Sequence, residues 1–108
     1  MPKGDSLGEF EQLVMLAVLR LRKDAYGMTV RREIEERTGR ESAIGAVYAT
    51  LDRLEHKGFV RSREMAATEG RGGRPRRIYL VTAAGEQSLQ ETSKALASMM
   101  EGLKLRAV

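Results

Sequence analysis

Residues 42–58 read SAIGAVYATLDRLEHKG, and residues 59–82 continue FVRSREMAATEGRGGRPRRIYLVT. In the first stretch Ile44, Val47, Tyr48, Leu51 and Leu54 recur with the 3.6-residue period of a helix that turns one stripe inward. Ser42 is placed as its N-cap and Gly58 as its stop. Phe59 and Val60 then open a strand, which returns as IYLVT after a Gly-rich basic loop. Two short strands do not form a stable sheet alone. The hairpin must therefore lean on helices and turn its arginine-laden tip outward. The stretch reads as a recognition helix followed by a charged β-hairpin, in a chain that is otherwise mainly α.

Charge is concentrated in that hairpin. Between Arg61 and Arg77 stand six arginines (Arg61, Arg63, Arg71, Arg74, Arg76, Arg77) against Glu64 and Glu69, and this excess equals the formal net charge of +4 for the whole chain. The rest of the sequence balances to zero. A basic excess held in one loop is a directed footprint for a polyanion, whereas the same charge spread evenly would mainly serve solubility. The helix before it adds a second feature. Opposite its inward stripe lie Gly45, Ala46, Ala49, Arg53 and His56, so the exposed N-terminal end is small and uncharged. Small residues let a helix backbone approach the floor of a groove, and the N-terminal part of a recognition helix is where base edges are met.

Upstream, the sequence predicts a helix from Leu7 or Gly8 to Arg22. Its apolar residues, among them Phe10, Leu13, Val14, Leu16, Val18 and Leu19, wrap nearly the whole circumference. Such a helix must be covered on more than one side, which is a first sign of a second subunit. Lys23 to Gly27 read as a turn, and MTVRREIEERTG as a short helix with Val30 and Ile34 inward and Gly39 at its end. Thr82 is placed as the cap of a last helix, from about Ala83 to Arg106. Leu89, Leu96 and Leu103 are spaced by seven on it, beside Met99 and Met100. That narrow seam suits a helix pair.

Composition bounds the rest. The chain has 108 residues, 42% hydrophobic and 31% charged, with no cysteine. This is room for one small domain, without disulfides or thiolate metal sites. No apolar run is long enough to span a membrane. The opening MPKGDS lacks a signal-peptide core, so a cytoplasmic location is the default expectation. The pI near 9.8 would suit an anionic membrane surface too, but no helix joins a basic face to a broad apolar one.

Three segments in order, AYGMTVRREIEERTG, AVYATLDRLEHKGFV and GRGGRPRRIYLVTAAGEQSL, resemble the PadR family of bacterial transcriptional regulators, and the match runs from about Leu7 onward. The resemblance implies a winged helix-turn-helix of three helices and a two-stranded β-wing over residues 7–82 that binds operator DNA as a homodimer, usually repressing transcription. It assigns residues 83–108 to a C-terminal dimerisation helix. On matching positions, Tyr48 with Leu51 and Leu54 looks like the family's recognition-helix signature, the tyrosine reaching DNA from the helix edge. Gly72, Gly73, Arg74, Pro75 and Arg77 look like the wing tip, and Tyr79, Thr82 and Gly85 like the return strand and the next helix start. Many members carry several C-terminal helices, whereas this chain has room for one. MarR-type regulators share the charge layout but are normally longer.

Taken together, the expected contacts to double-stranded DNA are Ser42, Gly45, Ala46, Tyr48, Ala49, Arg53, Arg71, Gly72, Gly73, Arg74, Arg76 and Arg77. The expected dimer contacts are Phe10, Leu89, Leu96, Met99, Met100 and Leu103. No cofactor or metal is expected, and a small-molecule effector is compatible with the resemblance. An enzyme is not expected: the sole histidine, His56, lies on an exposed face without a neighbouring nucleophile, and GRGGRPRR lacks the Lys-Ser/Thr of a nucleotide loop and sits between strands. RNA binding is the nearer rival because residues 71–74 read RGGR, but the aromatic residues fall mostly on inward stripes, leaving few stacking platforms. A winged helix used only for protein contacts would not need an all-arginine wing.

Overall fold

A computed structural model of the chain describes residues 7–66 and 76–105. Helix α1 spans Glu9–Leu21 and passes through a 3₁₀ turn, Arg22–Asp24, into α2, Gly27–Thr38. Helix α3 follows over Ile44–His56, then strands β1, Val60–Met65, and β2, Arg76–Val81, and finally α4, Ala83–Met100. The strands pair antiparallel with Val60 opposite Val81 and Met65 opposite Arg76. This is the three-helix, two-strand winged architecture expected.

The core lies where α1, α2 and α3 meet the base of the wing. Val14, Met15 and Val18 of α1, Val30 and Ile34 of α2, and Val47, Leu51 and Leu54 of α3 are buried together with Phe59, Val60, Tyr79 and Val81. Each such aliphatic side chain contributes roughly 1.5–3 kcal/mol by leaving water. Because side chains alternate along a strand, Val60, Ser62, Tyr79 and Val81 share the wing face that meets the helices. Leu80 and Ile78 share the other face with Arg61 and Arg63.

The expected helix ends hold in part. Gly39 ends α2, and its N–H reaches Glu35 O at 2.8 Å. Gly58, at φ 81°, takes the left-handed conformation that lets the chain turn from α3 into the wing. Thr82 caps α4 by accepting from Gly85 N at 3.0 Å. Ser42, however, is not the cap of α3. That place belongs to Ala43, which has no side-chain cap, because the helix starts at Ile44, one residue too late for Ser42. The Ser42 carbonyl instead accepts from Arg31 Nε of α2 at 2.8 Å, which holds the turn between the two helices.

Two stripes also differ from expectation. Tyr48 is 42% exposed, and Thr50 takes the buried place beside Val47, Leu51 and Leu54. The reason is Gly27: the Tyr48 ring lies over its bare Cα at the start of α2, where a methyl group would collide with it. The last helix ends at Met100, six residues short of Arg106, and Gly102 follows at φ 81°. Leu103 therefore stands beyond the helix, so the seam spaced by seven holds only Leu89 and Leu96 on α4.

Candidate nucleic-acid interface

The outer face of α3 is as open as its sequence suggests. Gly45, Ala46, Ala49, Arg53 and His56 are all exposed, and Tyr48 flanks them. At the C-terminal end of this face Arg53 does not stand free. Its Nε lies 3.5 Å from Glu11 Oε2, and its guanidinium donates to Thr50 Oγ1 at 3.3 Å. Lys57 Nζ donates to both Glu11 oxygens at 3.0 and 3.2 Å, and Gly8 N–H to Oε1 at 2.9 Å. Burial pushes the Glu11 carboxyl up, but Gly8, Lys57 and Arg53 outweigh it and hold it below the usual carboxylate value. A buried anion on α1 thus fixes two cations at the end of α3.

The wing is tied to the body along both outer edges. On the β2 side Tyr79 N–H donates to Ala25 O at 2.8 Å, and the Arg76 guanidinium sits 4.5 Å above the Tyr26 ring, a cation–π contact. On the β1 side Ser62 N–H and Oγ–H donate to Glu55 Oε2 of α3 at 3.1 and 2.8 Å. Arg77 then donates to Ser62 Oγ at 2.9 Å. Burial, followed by the nearby carboxylates of Asp52 and Glu55, raises the Tyr79 phenol above its ordinary value.

Arg77, expected in the wing tip, instead belongs with Arg76 to β2, because the return strand begins two residues before Ile78. Arg71, Gly72, Gly73 and Arg74 lie outside the described residues. Of the expected dimer contacts, Phe10 is half-buried in its own subunit, packed against the core and covered by Arg40 at 5.0 Å. Leu89 also packs against its own core. Leu96, Met99 and Met100 are 54%, 78% and 48% exposed, on a part of α4 that leaves the body. Leu103 is exposed beyond it. Leu16 and Leu19 expose the outer side of α1, so the helix apolar all round is covered on one side only.

Sequence reasoning missed Glu11, Glu55, Ser62 and Tyr26. One of them had a legible signal: a glutamate three residues after Gly8, at the start of an apolar helix, is the capping-box position. The others depend on strand register and helix–strand proximity, which no local pattern displays.

A family model for the PadR-like transcriptional regulators matches residues 15–91, a span that runs from within α1 through α2, α3 and the wing into α4. The chain belongs to the PadR-like family. Solved PadR structures share its fold. A PadR family regulator from Eggerthella lenta is 27% identical with TM-score 0.67, the alignment covering 88% of this chain and 82% of that one. One from Clostridium difficile superposes with TM-score 0.69 at 24% identity, over 86% of this chain and 95% of that one. RosR of H. salinarum, 25% identical, aligns with TM-score 0.63 over 91% and 81%. No curated protein matches the chain in sequence. PadR-like proteins are regulators of transcription, and this chain shares their winged fold. No helix among the described residues is long and apolar enough to cross a membrane.

Proposed function

We propose that this PadR-like chain is a sequence-specific DNA-binding repressor that acts as a homodimer on a pseudo-palindromic operator. The observation that carries the reading is the pairing of an open, small-residue face on α3 with arginines held beside it on a wing tied to the body at both edges. Gly45, Ala46 and Ala49 let α3 enter the major groove, with Tyr48 and Arg53 at its flanks. Arg76, Arg77 and the loop residues Arg71, Gly72, Gly73 and Arg74 meet the phosphate backbone, while Ser42 lies at the turn ahead of the reading helix. Leu96, Met99 and Met100 of α4, with Leu16 and Leu19 of α1, form the partner-binding surface. Phe10, Leu89 and Leu103 extend it at the edges.

The test is affinity for duplex DNA against RNA of matched length over a range of salt. Expected is preferential binding of the duplex, with a specific affinity on the order of 10⁻⁸ to 10⁻¹¹ M at physiological salt and a steep fall as salt rises. Ala49→Glu, which places a charge on the reading face, should abolish the preference for the cognate site and leave the fold intact. Equal binding of RNA, or affinity indifferent to salt, would overturn the reading.

A further inference from the structure

The α3 side chain that bonds the outer edge of β1 is an acid, Glu55, which is an unexpected group to find beside a surface proposed to meet a polyanion. Glu55 stands one residue before the end of α3, and its Oε2 accepts both the Ser62 N–H at 3.1 Å and the Ser62 hydroxyl at 2.8 Å. A serine hydroxyl has one proton to give and lone pairs to accept with. Since its proton goes to Glu55, the oxygen is left to accept, and Arg77 NH1 donates to it at 2.9 Å. The chain of bonds therefore has one direction: guanidinium to hydroxyl to carboxylate, from β2 across β1 to α3.

The strand register makes this more than a surface contact. Ser62 faces Tyr79 and Glu64 faces Arg77 across the ladder, so Ser62, Tyr79 and Arg77 lie on the body-side face of the wing. Glu64 makes no ion pair with Arg77 among the described residues, and Arg77 is itself exposed. What orients its guanidinium is the Ser62 hydroxyl, and what orients the hydroxyl is Glu55. The free N–H of an edge strand, which otherwise faces water, is occupied by the same carboxylate oxygen.

We propose that Glu55 is a positioning residue for DNA binding: through Ser62 it sets the wing against α3 and aims Arg77 at the phosphate backbone. The proposal rests on the DNA-binding reading given above. It makes a prediction whose sign is opposite to that of simple electrostatics. Removing a negative charge near a DNA-binding face should raise affinity if charge is all that Glu55 contributes. If Glu55 positions Arg77, its loss should lower affinity.

The experiment compares the full chain with Glu55→Ala, Glu55→Gln, Arg77→Ala and the Glu55→Ala/Arg77→Ala double variant. The probe is a mixed-sequence 30-base-pair duplex titrated across salt, with amide exchange of the Ser62 N–H as a second readout. Glutamine keeps an acceptor oxygen without the charge, so Glu55→Gln should bind at least as tightly as the parent and keep Ser62 protected. Glu55→Ala should expose the Ser62 N–H to exchange and weaken binding by about tenfold, the scale of one charge-assisted contact. Its salt slope should fall by about one. The double variant should lose no more than Arg77→Ala alone. Tighter binding by both Glu55 variants, additive losses in the double variant, or unchanged Ser62 exchange in Glu55→Ala would overturn the proposal. Failure of the parent to bind duplex in a salt-dependent way would instead refute the DNA reading, and Ser62 exchange would still decide whether Glu55 holds the wing.

Discussion

Glu11 shows how a single buried carboxylate can organise the end of a helix. It gathers Gly8, Arg53 and Lys57 around one pair of oxygens and so joins the start of α1 to the end of α3. Its depressed pKa sets the sign of a pH effect. A carboxylate whose folded pKa lies below its unfolded value adds stability that is fully present above the unfolded value, about 4.3 for glutamate. That stability is lost as pH falls through the folded value. Glu11→Gln should therefore cost about 1.5–3 kcal/mol at neutral pH, the range of hydrogen bonds to a charged group, and flatten the acid limb of the stability curve. Thermal melts of parent and variant from pH 7 down to about pH 3 check this: the two curves should converge in acid, and parallel curves would mean that Glu11 stays paired or unpaired in both states alike. Tyr48 teaches a different lesson. Its spacing from Ile44 and Leu51 fits an inward stripe, yet Gly27 offers its ring a place at the helix edge, and that vacancy belongs to another helix 21 positions earlier in the chain.

Among the elements, the three body helices and the wing were legible because each carries its own local signals: apolar periodicity, Gly39 and Gly58 as stops, Thr82 as a cap. Two other ends were misplaced. Ser42 resembles a cap, but Arg31 takes its carbonyl and the helix begins at Ile44. The last helix has no strong stop before Gly102, so its apolar spacing alone extends it too far. What the sequence pattern did convey is that α4 is apolar where its own body does not need it. An 18-residue helix is about 27 Å long, and only its first turns touch the core, through Gly85, Ser88 and Leu89. The exposed Leu96, Met99 and Met100 then call for a partner. Leu96→Glu places a charge in that seam without a counter-charge, which is strongly destabilising once buried. Sedimentation should show the variant as a monomer at concentrations where the parent is a dimer, with the melting temperature of the body unchanged. An unchanged dimer would move the interface away from α4.

For the whole molecule, the central claim is that two copies of this winged body read DNA together. A monomer offers one α3 and one wing, and a two-fold pair offers two of each at a fixed separation. Linking two half-site contacts raises affinity through effective concentration without any new contact. On the proposed function the exposed end of α4 and the open face of α3 then act together, although the two lie on different parts of the chain. The claim is best tested by footprinting the full chain on a fragment selected from the source genome for tight binding, with the protein-to-DNA stoichiometry measured on the same complex. Expected are two protected half-sites on one face of the duplex, centred about one or two helical turns apart, with two chains bound. A single asymmetric protected block carrying one chain would contradict it.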